Sequence, residues 1–443
     1  MKHILLSTIF YCVAVAASAQ TFTVLHNFEL TDGDDPQSTL VKDASGNLYG
    51  TTAFGGTGYG VIFRVAPSQS EGWSETVLHS FTGGSDGSNP WSGLIADAAG
   101  NEFGTAPNGG STANECEGYG GCGTVFSINR NGKFSVVYSF LGSYDSPPDG
   151  QHPLSRLMRA ATGNFFGTTE SGGNPALCQE VSCGVVFEVD ARGTESVIYS
   201  FLGSIPYLGS APDDGALPNA SLIEDAAGNF YGTTQAGGLN ENNCSEEGCG
   251  VVFELSPTGS GGFTESVLYR FTGELDGASP QSSLILDSAG NLYGTAASGG
   301  STNCALAPSI CGVVFKLTKE SNGGWEESVL HSFVGTDGAI PDAELVRDSA
   351  GNLYGTTANG GDMTCPYSSW GCGTVFKLNA SGKETVLHAF SGPDGVSPEA
   401  GLLLDDSKHA LYGTATSGGD LTGENCNVPH YVQGCGVVFR VTP

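Results

Sequence analysis

A chain of 443 residues with 68 glycines and only 14% charged residues suits short strands joined by tight turns, not long helices. Its 46 acidic and 16 basic residues give a formal charge of −30, which repels phosphate backbones and anionic membranes and excludes nucleic acid as a partner. Apolar residues make up 39% of the chain and recur in register, which excludes disorder.

The chain opens on Lys2 and His3, followed by an apolar run from Ile4 to Ala16 and the small residues Ala17-Ser18-Ala19. That pattern predicts a signal peptide over 1–19 with cleavage after Ala19, so that the mature chain starts at Gln20. The run is shorter than the ~20 residues of a membrane span. Phe10 and Tyr11 stand where a lipoprotein would need small residues before Cys12. No second hydrophobic stretch follows, and no anchoring tail precedes Pro443. The expectation is a secreted, extracellular protein, with the periplasm as the other compartment, that has no membrane span.

One unit then recurs. Gly46-Asn47-Leu48-Tyr49-Gly50-Thr51 returns at Gly100, Gly163, Gly228, Gly290 and Gly351, and in eroded form at His409-Ala410-Leu411-Tyr412-Gly413-Thr414. A Gly-Gly pair and a strand ending in phenylalanine follow each copy (Phe63, Phe126, Phe187, Phe253, Phe315, Phe376, Phe439). Asp-Gly-x-x-Pro precedes each, starting at Asp32, Asp86, Asp149, Asp214, Asp276, Asp337 and Asp394. Within a unit we expect strand A at Ser38 to Asp43, B at Leu48 to Thr52, C at Val61 to Val65 and D at Thr76 to Phe81. Consecutive apolar residues in strand A (Leu94-Ile95, Leu284-Ile285) mark a strand buried on both faces.

Seven units of four strands predict an all-β, seven-bladed propeller occupying 20–443 as a single domain. Its blades cover about 37–81, 90–140, 153–201, 218–271, 280–333, 341–390 and 398–441, the last completed by 21–28. The seventh unit ends without a strand D, and Thr23 to Phe28 matches Thr76 to Phe81 and Thr385 to Phe390. Pairing that N-terminal strand with the last blade seals the ring and removes its open edges.

The Gly-Asn-Leu-Tyr-Gly-Thr, Gly-Gly and Gly-Thr-Val-Phe segments together resemble the GloVer (Gloeo/Verruco) tandem repeat across essentially the whole mature chain. The resemblance implies an exported bacterial repeat protein; it brings no activity and no catalytic residues.

Beyond Cys12, the cysteines form six pairs, each within one B–C loop: Cys116/Cys122, Cys178/Cys183, Cys244/Cys249, Cys304/Cys311, Cys365/Cys372 and Cys426/Cys435. Blade 1 has a short loop, Gly55 to Gly60, and lacks both cysteines. Joint presence or absence is what bonded partners show, and an exported setting permits disulfides. Zinc is the alternative, but five of the six loops have no nearby histidine.

The Asp-Gly-x-x-Pro turns read as scaffold, since they recur in every blade. His26, His79, His331 and His388 share one strand D position with Tyr138, Tyr199 and Tyr269, which reads as packing with a polar tip. Tyr49, Phe103, Phe166, Tyr231, Tyr293, Tyr354 and Tyr412 read as packing between blades.

Function is therefore sought where copies differ, at the channel mouth. The residue after the turn proline is Gln37, Trp91, Leu154, Asn219, Gln281, Asp342 or Glu399; two places on it is Thr39, Gly93, Arg156, Ser221, Ser283, Glu344 or Gly401. Asp342, Glu344 and Glu399, with Asp34 and Asp35, are candidates for an acidic cluster able to hold calcium or to raise one another's pKa. Solvated acidic loops are the plainer alternative. Trp91 is a candidate platform for stacking a sugar. No cofactor is expected other than calcium, and no nucleophile elbow, HExxH, P-loop or EF-hand motif is present. The sequence favours a monomeric binding or structural module, with an extracellular partner or glycan that it does not identify. The alternative is a metal-assisted carbohydrate lyase or hydrolase at the channel mouth.

Overall fold

In strand B the glycine between Tyr49 and Thr51 faces the recurrent phenylalanine of strand C. Gly50 pairs with Phe63 across the ladder, and a Cβ at Gly50 would stand 2.6 Å from the Phe63 ring. The missing side chain lets the ring fill the middle of the blade with no exposed surface. That ring also meets the preceding blade edge to face: Phe28 and Phe63 lie 4.9 Å apart between centroids, and Phe390 and Phe439 lie 5.3 Å apart. Sequence repetition thus becomes a ring of aromatic seams.

The computed structural model describes residues 20–443 apart from 69–71, 113–115, 117–119, 143–148, 174–182, 204–213, 239–243, 245–247, 260, 308–309, 421–425 and 427–433. The expected signal peptide and its cleavage site lie outside the described residues.

Each blade is a four-stranded antiparallel sheet in the order A-B-C-D. In blade 1 the strands are Val41–Lys42, Leu48–Thr52, Val61–Ser68 and Gly72–Ser80. Seven such sheets make an all-β seven-bladed propeller. The seventh joins Leu403–Asp405, Ala410–Ala415 and Val437–Thr442 to the N-terminal Thr21–Asn27, with Val24 opposite Phe439. Lys42 of blade 1 and the buried Asp405 of blade 7 form an ion pair across this closing seam. No helix among the described residues is long and apolar enough to cross a membrane.

Strand A differs from expectation. Its ladder covers only Val41–Lys42, because at Ser38 a side chain replaces the backbone bonds. Ser38 Oγ donates to Thr51 O (3.1 Å) and accepts from Thr51 N–H (2.8 Å). The same arrangement joins Ser155 to Thr168 and Ser282 to Thr295.

The threonine of each Gly-Thr dipeptide then ties its blade to the next. Thr51 Oγ1 donates to Ser92 O, Thr105 to Ser155, Thr168 to Ala220, Thr233 to Ser282, Thr295 to Ala343 and Thr356 to Ala400. Thr414 closes the circle onto Ser38 O at 3.3 Å. These buried bonds hold seven strands A around the axis.

Candidate functional site at the channel mouth

The residue before each turn proline adopts a left-handed conformation that proline normally disfavours in its predecessor: Asp35 (φ 61°), Asn89, His152, Leu217, Ser279, Ile340 and Ser397. Two backbone bonds hold it there. Asp35 N–H donates to Cys435 O of the preceding blade, and Asp35 O accepts from Ala53 N–H. In five other blades as well, the carbonyl of the second loop cysteine receives this bond, as from Ser397 to Cys372. The B–C loop, the D–A turn and the start of strand A are therefore one locked unit. A bridge between Asp34 and Phe54 places both loops on the same face.

The B–C loops are closed as expected. Cys116–Cys122, Cys244–Cys249, Cys304–Cys311, Cys365–Cys372 and Cys426–Cys435 are disulfides with Cα atoms 4.9, 5.0, 5.7, 5.9 and 5.3 Å apart. Cys183 is also disulfide-bonded; Cys178 lies outside the described residues. Disulfides of this density belong to an oxidising, non-cytoplasmic compartment.

Beyond the prolines, the two variable rings line a single void of about 130 Å³ on the axis, and both include all seven blades. Trp91, Asp342, Glu344 and Glu399 all face it. Glu399 is raised to about 8, by burial first and then by the neighbouring Asp342 and Asp35. Burial likewise raises Asp342. Asp35 rises to about 6 through burial, opposed by a bond from Gln37 and assisted by Asp34. Asp34 also rises to about 6 through burial. Asp342 and Glu399 thus share the void, while Asp35 stands outside its lining and accepts from Gln37 Nε2, which belongs to it.

Glu344 stands apart from that group. Arg156 Nη2 lies 3.1 Å from Glu344 Oε2, so an ion pair between blades 3 and 6 crosses the channel. Glycines in the adjoining blades make room for both arms. A Cβ at Gly401 would stand 2.2 Å from Glu344 Cγ, and one at Gly93 would stand 3.0 Å from Arg156 Cδ. This strut was not foreseen, although the signal was present: one cation in a ring of seven, each charged member beside a glycine of the adjoining blade.

Three buried polar atoms at the void have no hydrogen-bond partner among the described residues: Asp342 Oδ1, Asn219 Oδ1 and Trp91 Nε1. A second group, His331, Asp337 and Glu384, gathers its ligand atoms within 4.8 Å at the seam between blades 5 and 6. The mouth is an acidic void, able to hold a cation or to give up a proton, spanned by the strut.

The Gloeobacter/Verrucomicrobia repeat matches this chain over residues 8–245 and 210–427. No curated protein matches it. Among solved structures, a gluconolactonase from Xanthomonas campestris is 12% identical, with coverage of 94% of this chain and 88% of that one and a TM-score of 0.41. A putative oxidoreductase (glucose dehydrogenase) from Thermus thermophilus is 14% identical, with coverage of 95% and 99% and a TM-score of 0.40. Likenesses of that degree say nothing of chemistry at the mouth.

Proposed function

Since the chain belongs to the Gloeobacter/Verrucomicrobia repeat family, we propose that it is an exported, monomeric binding or structural module whose B–C and D–A loops engage a partner outside the cell. The observation that carries this reading is the distribution of exposed apolar side chains. Leu30, Phe54, Tyr59, Leu141, Leu275 and Trp370 all stand on loops of that one face. The remaining exposed large hydrophobics among the described residues, Val136 and Val329, lie on outer strands. Three of them, Leu30, Phe54 and Tyr59, belong to two loops bonded to each other, and exposed apolar side chains that lie together mark an interaction surface.

The size of the channel supports binding over turnover. Small-molecule sites enclose ~300–1,000 Å³, whereas this void holds about 130 Å³. The second reading, a calcium-assisted lyase or hydrolase, draws on Asp342 and Glu399 meeting at the void. Secretion after cleavage at Ala19 belongs to the proposal and agrees with the disulfides.

The test compares turnover with adhesion. Purified mature protein is assayed for reducing ends and for eliminated products on a panel of polysaccharides, with and without calcium. In parallel, binding to cell-surface fractions and glycan arrays is compared between wild type, Phe54→Ser and Trp370→Ser. The expected result is no turnover and adhesion lost in the loop variants. Turnover that Glu399→Gln abolishes would overturn the reading.

A further inference from the structure

Blade 1 breaks the symmetry of the loop face. Its B–C loop is residues 53–60, against 107–123 in blade 2 and 416–436 in blade 7, and it carries no disulfide. Short as it is, the loop is fixed. Gly55, Gly56, Gly58 and Gly60 all have positive φ, Gly56 N–H donates to Leu30 O at 2.8 Å, and Phe54 exchanges two backbone bonds with Asp34. Tyr59 lies over Gly83, whose Cβ would stand 2.5 Å from the ring, and its carbonyl accepts from Asn89 N–H. Yet Leu30, Phe54 and Tyr59 keep 37%, 41% and 45% of their surface exposed. Large side chains on a fixed backbone make a preorganised contact surface, which limits the entropy lost on binding.

Four carboxylates stand between this patch and the void: Asp34, bridged to Phe54; Asp35, which accepts from Gln37 of the lining; and Asp342 and Glu399, which line the void themselves. Among the described residues, no basic side chain forms an ion pair with any of the four. Arg156 is the only cation among the described residues that line the void, and Glu344 engages it. The orphaned Asp342 Oδ1 and Asn219 Oδ1 are acceptors without donors, and Trp91 Nε1 is a donor without an acceptor. A cavity of ~150 Å³ takes one benzene, so the void of about 130 Å³ is on the scale of one side chain.

We propose that blade 1 and the channel mouth form the docking surface for a basic partner protein. It inserts one lysine or arginine side chain between Asp342 and Glu399 and rests neighbouring apolar residues on Leu30, Phe54 and Tyr59. The inserted group supplies N–H donors to the two orphaned oxygens, its backbone carbonyl serves the Trp91 indole, and the Trp91 face receives the cation. A net charge of −30 draws such a partner in from solution. This inference rests on the binding-module reading above and specifies its partner.

The test uses short synthetic peptides of one design, with arginine, lysine, norleucine or glutamate at the centre and leucine and tyrosine on either side. Binding to the mature protein is measured by calorimetry in buffers of different ionisation enthalpy. The arginine peptide should bind at least about tenfold more tightly than the norleucine peptide, with proton release at neutral pH as the mouth acids ionise. Glu399→Gln and Asp342→Asn, which keep the side-chain shapes, should erase that preference, and Phe54→Ser should weaken all the peptides alike. Equal affinity for arginine and norleucine, an arginine peptide that does not bind, or carboxamide variants that bind as wild type would each overturn the proposal. Exclusion of the arginine peptide by calcium or by chitosan oligomers that bind more tightly would also overturn it, by naming another occupant. Adhesion that survives in Glu399→Gln but fails in Phe54→Ser defeats this inference alone and leaves the binding module standing.

Discussion

Arg156 and Glu344 meet across the propeller axis, Nη2 to Oε2 at 3.1 Å, and tie blade 3 to blade 6 through the channel. Glu344 is the more enclosed partner, with 16% of its side chain exposed against 32% for Arg156. Each single truncation leaves one charge facing the remaining carboxylates or the bare axis. We expect Arg156→Ala or Glu344→Ala to cost about 1–2 kcal/mol in denaturant unfolding, and the double variant to cost less than the sum. A double-mutant cycle with no coupling would show that the strut contributes nothing to stability.

The disulfides act on the mouth as well as on their own loops. In six blades the carbonyl of the second cysteine fixes the left-handed residue before the next proline. We expect thiol titration of the denatured, unreduced mature protein to find no free cysteine. Replacing Cys365 and Cys372 together by serine should cost about 2 kcal/mol in the chain-entropy account. Several reactive thiols in the titration would remove this account.

Much of this architecture was legible because it is carried by local pattern. Leu48–Thr52 is a strand with the expected bounds, and the N-terminal strand closes the seventh blade as its match to Thr76 to Phe81 implied. Relations between blades were less legible, since they join residues that no periodicity aligns. The strand D histidines and tyrosines read as packing and the turn aspartates as turn scaffold, yet they are partners: Tyr138 Oη donates to Asp149 at 2.7 Å, and His388 Nε2 lies 2.7 Å from Asp394. At the mouth, sequence variation pointed to the right rings but could not show that Glu344 faces Arg156 and not its fellow acids.

The eroded seventh copy predicts a stabilising change. Six units place glycine at the left-handed position of the A–B turn, from Gly46 to Gly351, and the seventh places His409 there at φ 47°. Its side chain is exposed and its N–H bonds only weakly to Asp406 O, at 3.4 Å. A left-handed conformation costs a side-chain-bearing residue ~1–2 kcal/mol, of which glycine returns part through its freer unfolded chain. His409→Gly should therefore gain up to about 1 kcal/mol, read as a raised denaturation midpoint at constant slope. A lowered midpoint would refute it.

The seams between blades predict how stability depends on pH. Each strand D ring and its turn aspartate face one residue of the following blade: Glu75, Glu195, Glu265, Glu327 or Glu384 at five seams, and Phe22 or Phe134 at two. Burial, then the neighbouring aspartate, raises Glu195 to about 8 and Glu265 and Glu327 to about 7. Burial also raises Glu75 and Glu384 to about 7, against the opposing pull of His26 and His331. In each of the five, Oε1 is buried with no partner among the described residues. A carboxyl with a raised folded pKa binds its proton more tightly in the native state. Its contribution is complete below the unfolded value and is lost as pH climbs through about 7–8. We expect the melting temperature to fall between about pH 5 and pH 9, and Glu→Gln at several seams to flatten that fall. The phenylalanine seams show another solution: Phe22 stacks on His388 at 3.6 Å and Phe134 on His79 at 3.8 Å, with the planes within 10°. Glu384→Phe, which places the same ring beside His331, should raise stability more at about pH 8 than at about pH 5, because the change removes an acid whose contribution is still largely present at about pH 5 and is lost by about pH 8. Equal gains at both values, or a greater gain in acid, would show that the seam glutamates do not set the pH response.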